Sequence, residues 1–546
     1  MILFNYLRQP LKSKLFYFFL LANLISNGAC LFFYHNPKQV CFVVALSFFY
    51  AYIETTIYNL LFFRWLKSLY VFFLCLLLNV FIITDYFLIF VFHKIFNEDV
   101  ADIIIETNPT ETANFFESYL SIPVFLAILA GLFVFNYLIL YISKLISNSY
   151  KSALSILSLL FVFIGFSVLV YMGYSYVFYR NGMSIPQYAS ITRFSHTINV
   201  VRHRILTIHQ LQEVCDSTVA TCNDPNRPTV VVIIGESHSS YHSSLYGYPL
   251  DTNPLLKQRL DEGNFYLFDN VVSVDDHTHG AMKSVFSLDS LGVNFNNRPL
   301  FPKCFKAAGY YTAMYDNQYM VGSGISFLTD KGLSESLFDE RNDSRYSFDG
   351  DLVDAIEVKD VPSLYVIHLW GQHYTYMHRY PAEYEIFSSK DYDEKKYSIS
   401  QRAVIAHYDN ACLYNDFVIN KIISKFENMN AVVFYLSDHG EEIYELRDYM
   451  GHGDAVYSPD LRLQIRVPLF VYVSESFRNT HMDLCHQFKE SEHKPITTDD
   501  ISHVILNAAS IQTPFFSAER CFTNPTYEEQ KPRIVLYNID YNQLHF

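Results

Sequence analysis

The fold is decided by the stretch Val230-Val231-Val232-Ile233-Ile234-Gly235-Glu236-Ser237 and by a second one of the same design, Ala431-Val432-Val433-Phe434-Tyr435-Leu436-Ser437-Asp438-His439-Gly440-Glu441. Each begins as a short, uninterrupted apolar run, which is the pattern of a strand buried on both faces. Each run ends in side chains that can bind a metal ion. In open α/β sheets, ligands bind in the crevice beyond the carboxyl ends of the strands. The two stretches therefore predict a single metal centre at one edge of a sheet.

Further apolar runs after residue 229 alternate with helical stretches. The predicted strands are residues 230–234, 310–314, 364–369, 432–436 and 468–473. A helix is predicted over residues 402–425. This alternation is typical of an α/β domain with a mostly parallel central sheet.

The N-terminal part of the chain has a different character. Only 17% of the 546 residues are charged, and up to about residue 180 Phe, Leu, Ile and Tyr dominate. Five apolar stretches are long enough to cross a bilayer: residues 15–34, 40–63, 69–92, 122–142 and 154–178. We therefore predict a transmembrane domain of five helices at residues 1–180, a connecting helix and linker at 181–228, and the α/β domain at 229–546.

Basic residues in short loops predict how the five helices are oriented, because Lys and Arg stay on the cytoplasmic side. Only Lys38 and Lys94 lie near the spans in one set of loops. The opposite set and the N-terminus hold Arg8, Lys12, Lys14, Arg64, Lys67, Lys144 and Lys151. The seven basic residues of this set are therefore predicted to lie in the cytoplasm. Five crossings, an odd number, then place the α/β domain on the opposite side of the membrane.

Charge and cysteine content narrow the choice of partners and compartment. The formal net charge of -15 and the absence of basic runs argue against nucleic acid as a partner. Six cysteines fall in the exported part, where disulfides can form. Cys215 and Cys222 are the nearest candidate pair, and free buried thiols are the alternative.

Glu236, Asp438 and His439 form an oxygen and imidazole ligand set that suits Zn²⁺, with Mn²⁺ as the alternative. A nucleophile is predicted in Asp276-His277-Thr278-His279-Gly280, which precedes a helical stretch at residues 281–288. A hydroxyl at a helix N-terminus faces free N–H groups, which suits attack on a phosphate. Thr278 is therefore the predicted nucleophile. A helix N-cap is its structural alternative, and Ser237 is the rival nucleophile.

Several motifs resemble those of one known family, the membrane-bound phosphoethanolamine transferases of the alkaline phosphatase/sulfatase superfamily, which modify lipid A or lipopolysaccharide core. The resemblance covers nearly the whole chain, from the apolar helices to the closing helix. The matching motifs are Ile105-Glu106-Thr107-Asn108-Pro109-Thr110-Glu111, Gly235-Glu236-Ser237, Leu245-Tyr246-Gly247-Tyr248, Asp251-Thr252-Asn253-Pro254, Asp316-Asn317-Gln318, Tyr408-Asp409-Asn410, Ser437-Asp438-His439-Gly440-Glu441 and Asp500-Ile501-Ser502-His503.

The resemblance implies a role for each matching residue. Zinc would be held by Glu236, Asp438, His439 and Thr278, and Thr278 would become phosphoethanolaminylated. His373 and His452 would lie near the phosphoryl group, and Asn317 and Glu441 near the ethanolamine end. The implied donor is phosphatidylethanolamine and the implied acceptor is lipid A or lipopolysaccharide. The implied location is the bacterial inner membrane, with the catalytic domain in the periplasm. Membrane lipids are implied as further partners.

The sequence departs from the family around two of these residues. The lipid A branch places Cys residues around its catalytic threonine, and this chain has none in Val274–Ser284 (VDDHTHGAMKS). Tyr319-Met320-Val321, after Asn317 and Gln318, also lacks a basic residue. The acceptor is therefore open. The alternatives are a glycerol-phosphate transferase resembling lipoteichoic acid synthase and a catalytically inactive membrane scaffold of the same fold.

Overall fold

The structure is a computed structural model of the chain, and it describes residues 7–33, 36–92, 95–97, 100–101, 122–148, 152–179, 188–292, 295–321, 326–453 and 460–544. Its contacts divide the chain into two compact units, one running to Ile205 and the other starting at Leu206. The family motif at residues 105–111 lies outside the described residues.

The N-terminal unit consists of long apolar helices at the five predicted positions. They are α1 (Lys14–Gly28), α2 (Pro37–Leu60), α3 (Arg64–Phe92), α4 (Ile122–Asn148) and α5 (Ser152–Tyr179). Within the described residues, α1 to α4 are long and apolar enough to cross a membrane, whereas the apolar stretch found in α5 is the shorter Ile156–Tyr171. The predicted helices are confirmed, and the fifth crossing stays a prediction.

Buried carboxylates in this unit have partners. Glu54 of α2 accepts a hydrogen bond from Asn23 Nδ2 at 2.8 Å. Asp85 of α3 forms a buried ion pair with Arg193 of α6 (Ser190–Asp216). Because an isolated charge inside a membrane is costly, such pairing is what allows these acidic side chains to lie among apolar helices.

The C-terminal unit is built on a seven-stranded sheet. Its strands are β1 (Thr229–Gly235), β2 (Phe265–Phe268), β3 (Tyr311–Asp316), β4 (Glu340–Arg341), β5 (Ser363–His368), β6 (Ala431–Ser437) and β7 (Leu469–Val473). Their order is β2-β7-β6-β1-β5-β3-β4. All neighbours are parallel except β7, which is antiparallel to β6 and to β2. The mostly parallel sheet is confirmed, and the short β2 and β4 are additions to the predicted strands.

Helices cover both faces of this sheet. They are α7 (Pro254–Asp261), α8 (Thr278–Phe286), α9 (Phe301–Ala307), α10 (Lys331–Leu337), α11 (Asp349–Ala355), α12 (Ile399–Phe426), α13 (Arg462–Ile465), α14 (Glu475–Thr480), α15 (Met482–Glu490) and α16 (Ile501–Ala508). Alternate residues of β1 pack into two separate apolar clusters, with Val232 and Ile234 in one and Val231 and Ile233 in the other. The uninterrupted apolar run of β1 is therefore explained by burial on both sides.

The cysteines are all free. Cys215 is buried in the apolar core, while the Sγ of Cys222 lies 3.2 Å from the carbonyl oxygen of Ala509 and 3.8 Å from the Tyr310 hydroxyl. The predicted Cys215–Cys222 pair is therefore wrong: both thiols are free, with Cys215 inside the apolar core and Cys222 at the edge of the same core.

Candidate metal centre

Glu236 and Asp438 leave two neighbouring strands at the same level. The register of the sheet pairs Gly235 of β1 with Ser437 of β6. The Asp438 N–H donates to the Gly235 carbonyl at 3.0 Å, which continues the ladder by one more residue. The two carboxylates are thus placed side by side by backbone pairing alone.

Four predicted side chains converge at this edge. Glu236, Asp438 and His439 are fully buried, and their ligand atoms lie within 4.8 Å of one another. His439 Nε2 is 3.4 Å from Glu236 Oε1 and 3.4 Å from Asp438 Oδ2. The Thr278 hydroxyl donates to Glu236 Oε2 at 3.2 Å and lies 3.4 Å from His439 Nε2. A single cation could be reached by all four.

Thr278 is the first residue of α8, and the N-cap position belongs to His277. Its hydroxyl is half-buried and faces the carboxylate. Ser237, in contrast, is buried and donates its hydroxyl to Glu236 Oε1 at 2.7 Å. Ser237 also has a left-handed backbone with φ of 55°. This conformation costs about 1–3 kcal/mol in a residue with a side chain and is typical of functional sites.

The donor chemistry of the cluster fits a metal ion. His439 Nδ1 hydrogen-bonds to the Gly440 carbonyl at 2.9 Å, so in the neutral imidazole Nε2 carries the lone pair and faces the cluster. Asp438 Oδ1 accepts from the backbone N–H groups of Ser237 and His439. Asp438 Oδ2 is buried and accepts no hydrogen bond from any described residue. A buried carboxylate oxygen that accepts no hydrogen bond is costly, and a bound cation would compensate it.

The electrostatics of the two carboxylates agree with this fit. Burial, and then the charge of Glu236, raise the pKa of Asp438 to about 6. Burial alone would also raise the pKa of Glu236, but the hydrogen bond and charge of His439 hold it well below its ordinary value. The cluster thus concentrates negative charge that a divalent cation would neutralise.

A network of buried polar side chains, which the sequence analysis did not predict, holds Glu236 in position. Gln318 Nε2 donates to Glu236 Oε2 at 2.9 Å and lies 3.1 Å from His368 Nε2. His368 Nδ1 is 3.1 Å from Asp316 Oδ1, and Arg341 pairs with Asp316 at 3.0 Å. The sequence motif that could have indicated this network is Asp316-Asn317-Gln318, which lies at the end of β3 on the same edge of the sheet.

Glu441 and His452 lie directly beside the cluster. Glu441 is buried and accepts a hydrogen bond from the Tyr376 hydroxyl at 2.6 Å. Its other oxygen is 2.6 Å from His452 Nδ1. The ring centroids of His452 and His439 are 4.0 Å apart. The position predicted for His452, near the reacting group, is therefore compatible with the geometry.

The two remaining predicted residues lie farther out. His373 is half-buried, and its charge contributes to the low pKa of Glu236. Both atoms of the Asn317 amide are engaged elsewhere, since Nδ2 donates to Asp349 at 2.9 Å and Oδ1 accepts from the Tyr346 N–H at 2.7 Å. Asn317 thus lies one layer behind the cluster, where it connects two loops.

Comparison with known proteins places this geometry in a family. A family model described as Sulfatase matches residues 228–511, which is more than half of the chain.

The chain belongs to the sulfatase family.

Among curated members, it is 27% identical over 321 residues to the phosphoethanolamine transferase EptC of Escherichia coli strain K12, covering 56% of this chain and 55% of that protein. It is 26% identical over 427 residues to the phosphoethanolamine transferase EptA of Helicobacter pylori, covering 76% and 77%. The chain thus matches about half the length of EptC.

Solved structures show the same architecture. The C-terminal periplasmic domain of EptC from Escherichia coli covers 60% of this chain and 96% of that one, at 25% identity and a TM-score of 0.55. The complex of that domain with Zn gives 25% identity and a TM-score of 0.53. The integral membrane EptA of Neisseria meningitidis covers 93% and 98% at 20% identity, with a TM-score of 0.60, which shows a shared fold. The chain shares this fold, and four of its described helices are long and apolar enough to cross a membrane.

Proposed function

We propose that this chain is a metal-dependent phosphoethanolamine transferase that moves phosphoethanolamine from phosphatidylethanolamine to lipid A or lipopolysaccharide core. The observation that carries the proposal is the convergence of four side chains, because atoms of Glu236, Thr278 and Asp438 each lie 3.4 Å from His439 Nε2. The likeness to EptC and EptA, which are named as phosphoethanolamine transferases, supports the transferred group.

The four converging side chains would hold Zn²⁺, with Mn²⁺ as the alternative. The unpartnered Oδ2 of Asp438 supports this assignment, as does the zinc complex of the EptC domain. When bound, the ion supplies a Lewis acid that lowers the pKa of a coordinated hydroxyl and offsets charge on phosphoryl oxygens.

The first transfer forms a bond to Thr278. The Thr278 oxygen attacks the phosphorus of phosphatidylethanolamine, and the bond from phosphorus to the diacylglycerol oxygen breaks. The Thr278 hydroxyl loses its proton in this attack, and the leaving oxygen takes up one proton and departs as diacylglycerol, so that protons balance. Glu236 Oε2, 3.2 Å from Thr278 Oγ1, orients the attacking hydroxyl. The N-terminus of α8, where Thr278 is the first residue, would face the phosphate.

The second transfer reverses the roles at Thr278. An oxygen of the acceptor attacks phosphorus, the bond between phosphorus and Thr278 breaks, and the threonine hydroxyl is regenerated. His452, oriented by Glu441, and His373 would balance charge on the phosphoryl oxygens, where electrostatic stabilisation matters most. Glu441 would supply negative charge near the ethanolamine ammonium, and Asn317 would support the surrounding loops.

Both substrates of this reaction are lipids, and the apolar helices would keep the enzyme in the membrane that contains them. We infer a multi-pass protein of the bacterial inner membrane whose catalytic domain lies in the periplasm. Lipid donor, lipid acceptor and enzyme would then share one membrane surface.

The test is to incubate the purified full chain with phosphatidylethanolamine or with phosphatidylglycerol and to map adducts by mass spectrometry. We expect phosphoethanolamine on Thr278 with the first lipid and no adduct with the second. Glycerol phosphate on Thr278 would support the transferase that resembles lipoteichoic acid synthase. Absence of any adduct in a zinc-loaded protein would support an inactive scaffold.

A further inference from the structure

Two arginines stack on one tryptophan at the sheet edge that carries the metal centre. Trp370 follows β5 by two residues. The guanidinium carbon of Arg379 lies 4.1 Å from the centroid of the Trp370 ring, and that of Arg345 lies 5.8 Å from it. We refer to Arg345, Trp370 and Arg379 as the arginine–tryptophan stack. It supplies positive charge in a protein whose net charge is -15.

Hydrogen bonds hold the two loops of the stack in place. Asp349 accepts hydrogen bonds from the backbone N–H groups of Trp370 and Gly371, both at 2.9 Å. Asn317 donates to the same carboxylate and accepts from the N–H of Tyr346, the neighbour of Arg345. Asn317 and Asp349 therefore connect both loops of the stack. This is the structural role that we assign to the buried Asn317.

The loop that carries Trp370 also lies next to Glu236, a predicted metal ligand. Gly371 has φ of 46°, and a Cβ there would lie 2.9 Å from the backbone N and O of Glu236. The Gln372 N–H donates to the Glu236 carbonyl at 3.0 Å. No side chain larger than hydrogen fits between the two backbones, so the Trp370 loop lies directly against the residue that follows β1.

Arg379 has capacity to bind an anion. Its Nε donates to the Thr375 carbonyl at 3.4 Å, and no carboxylate of the described residues lies within ion-pair distance of its guanidinium. Asp349 already accepts three hydrogen bonds. Burial lowers the pKa of Arg379, with the charges of Asp349 and Glu236 opposing that effect. A half-buried guanidinium with no carboxylate in ion-pair contact is a costly arrangement that a bound anion would relieve.

We propose that the arginine–tryptophan stack binds a phosphate group of a lipid substrate beside the Thr278 centre. This inference rests on the proposed function. A guanidinium matches phosphate oxygens with two parallel N–H donors, and stacking on the indole holds its plane in place. The phosphate can belong to the donor lipid or to a phosphorylated glycolipid acceptor.

The experiment compares R379A and R379K with R298A in the zinc-loaded full chain reconstituted in phospholipid nanodiscs. Arg298 is a matched control, because it stacks on Phe515 with 5.4 Å between the guanidinium carbon and the ring centroid. R379K keeps the charge but loses the paired donors, and so it remains informative if R379A unfolds. The two half-reactions are measured separately, as adduct formation on Thr278 and as transfer to the acceptor.

We expect R379A and R379K to raise the KM of one half-reaction about tenfold or more, with kcat changed less, as for the loss of a charge-assisted hydrogen bond. Slower adduct formation assigns the stack to the donor phosphate. A raised KM for a phosphorylated acceptor, but not for its dephosphorylated form, assigns it to the acceptor. If R379A and R379K match R298A in both half-reactions, the proposal is overturned.

A second readout separates this proposal from the proposed function. Binding of inorganic phosphate to the same proteins is measured by titration, without turnover. If the wild type forms no adduct on Thr278 but R379A binds phosphate about tenfold more weakly than R298A, the proposed function fails and the anion site stands. Equal phosphate affinities in that case would overturn the anion site as well.

Discussion

Thr278 Oγ1 donates a hydrogen bond to Glu236 Oε2 across 3.2 Å, although the two residues are 42 positions apart in the chain. The sheet places Glu236, and the start of α8 brings Thr278 to it. The proposed nucleophile and the carboxylate proposed to orient it therefore belong to two different structural elements, which can be altered one at a time.

Replacing Thr278 by Ala should abolish both the phosphoethanolamine adduct and transfer to the acceptor. The side chain is half-buried at the first position of α8 and is not the N-cap, so the thermal midpoint should stay close to that of the wild type. Intact-protein mass spectrometry and a melting curve measure the two effects. T278S, which keeps a hydroxyl, should retain part of the activity. Full transfer by T278A would remove Thr278 as the nucleophile.

Replacing Asp438 by Asn should weaken zinc binding while the domain stays folded. Asn keeps the shape and an oxygen that can accept from the Ser237 and His439 N–H groups, but it removes the charge of the unpartnered Oδ2. Metal content after dialysis against a chelator measures the loss. The surface variant D393N, which changes an exposed aspartate in the same way, is the control. Equal zinc retention by D438N and the wild type would contradict the site.

Zinc affinity should increase with pH between about 5 and 8. Asp438, with its pKa raised to about 6, must lose a proton before it can bind the cation. Although burial opposes the effect, Asp438 and Glu236 raise the pKa of His439, so that group must lose a proton as well. Each displaced proton contributes about tenfold in affinity per pH unit below its pKa. Competition with a zinc-binding dye checks this, and a flat profile would refute it.

Replacing Gln318 by Ala should reduce activity and zinc affinity about 10-fold to 100-fold, the usual effect of losing a residue that orients a metal ligand. The amide donates to Glu236 Oε2, and that donor disappears in the variant. Q318E serves as the stricter variant, since it places a second carboxylate against Glu236. Wild-type zinc affinity in both variants would show that Gln318 does not position Glu236.

Replacing His242 by Gln should destabilise the domain most below neutral pH. His242 lies between Asp409 at 2.6 Å and Glu445 at 3.1 Å. Although burial opposes the effect, Asp409 and then Glu445 raise the pKa of His242 to about 10. The stabilisation is complete below the unfolded pKa of about 6.5 and is lost as pH rises through about 10.

At pH 6 the free energy of unfolding should therefore fall by about 3–5 kcal/mol in H242Q, the cost of removing one partner from a buried ion pair. Denaturant titrations at pH 6 and pH 10 measure the change. The gap between wild type and variant should shrink at the higher pH, and a gap that does not depend on pH would contradict a charged His242.

The sequence predicted the central sheet because the strand runs are buried on both faces, and such runs are unbroken by polar residues. It also predicted that Glu236 and Asp438 meet, since both leave the carboxyl ends of parallel strands. It did not predict the order β1-β5-β3, which brings His368 and Asp316 behind Glu236. Strand order depends on how the crossover helices pack, and no local pattern records it.

Other features required contacts between distant loops. Arg379 and Arg345 meet at Trp370 only because Asp349 and Asn317 tie their loops together. The Cys215–Cys222 prediction failed for a related reason, because closeness in sequence did not determine where each thiol packs, one inside the apolar core and the other at its edge. Sequence periodicity thus accounts for the sheet and for the residues at its strand ends, and tertiary packing accounts for what surrounds them.

The pairing of Gly235 with Ser437 has a practical consequence. Because Glu236 and Asp438, the two proposed acidic ligands, are aligned by main-chain hydrogen bonds, we expect the polypeptide to assemble the binding site without an ion. Maturation can then proceed in two separate events, folding first and loading afterwards. Stripped protein should accept a spectroscopically visible substitute such as Co²⁺, whose absorption would report on the coordination sphere directly.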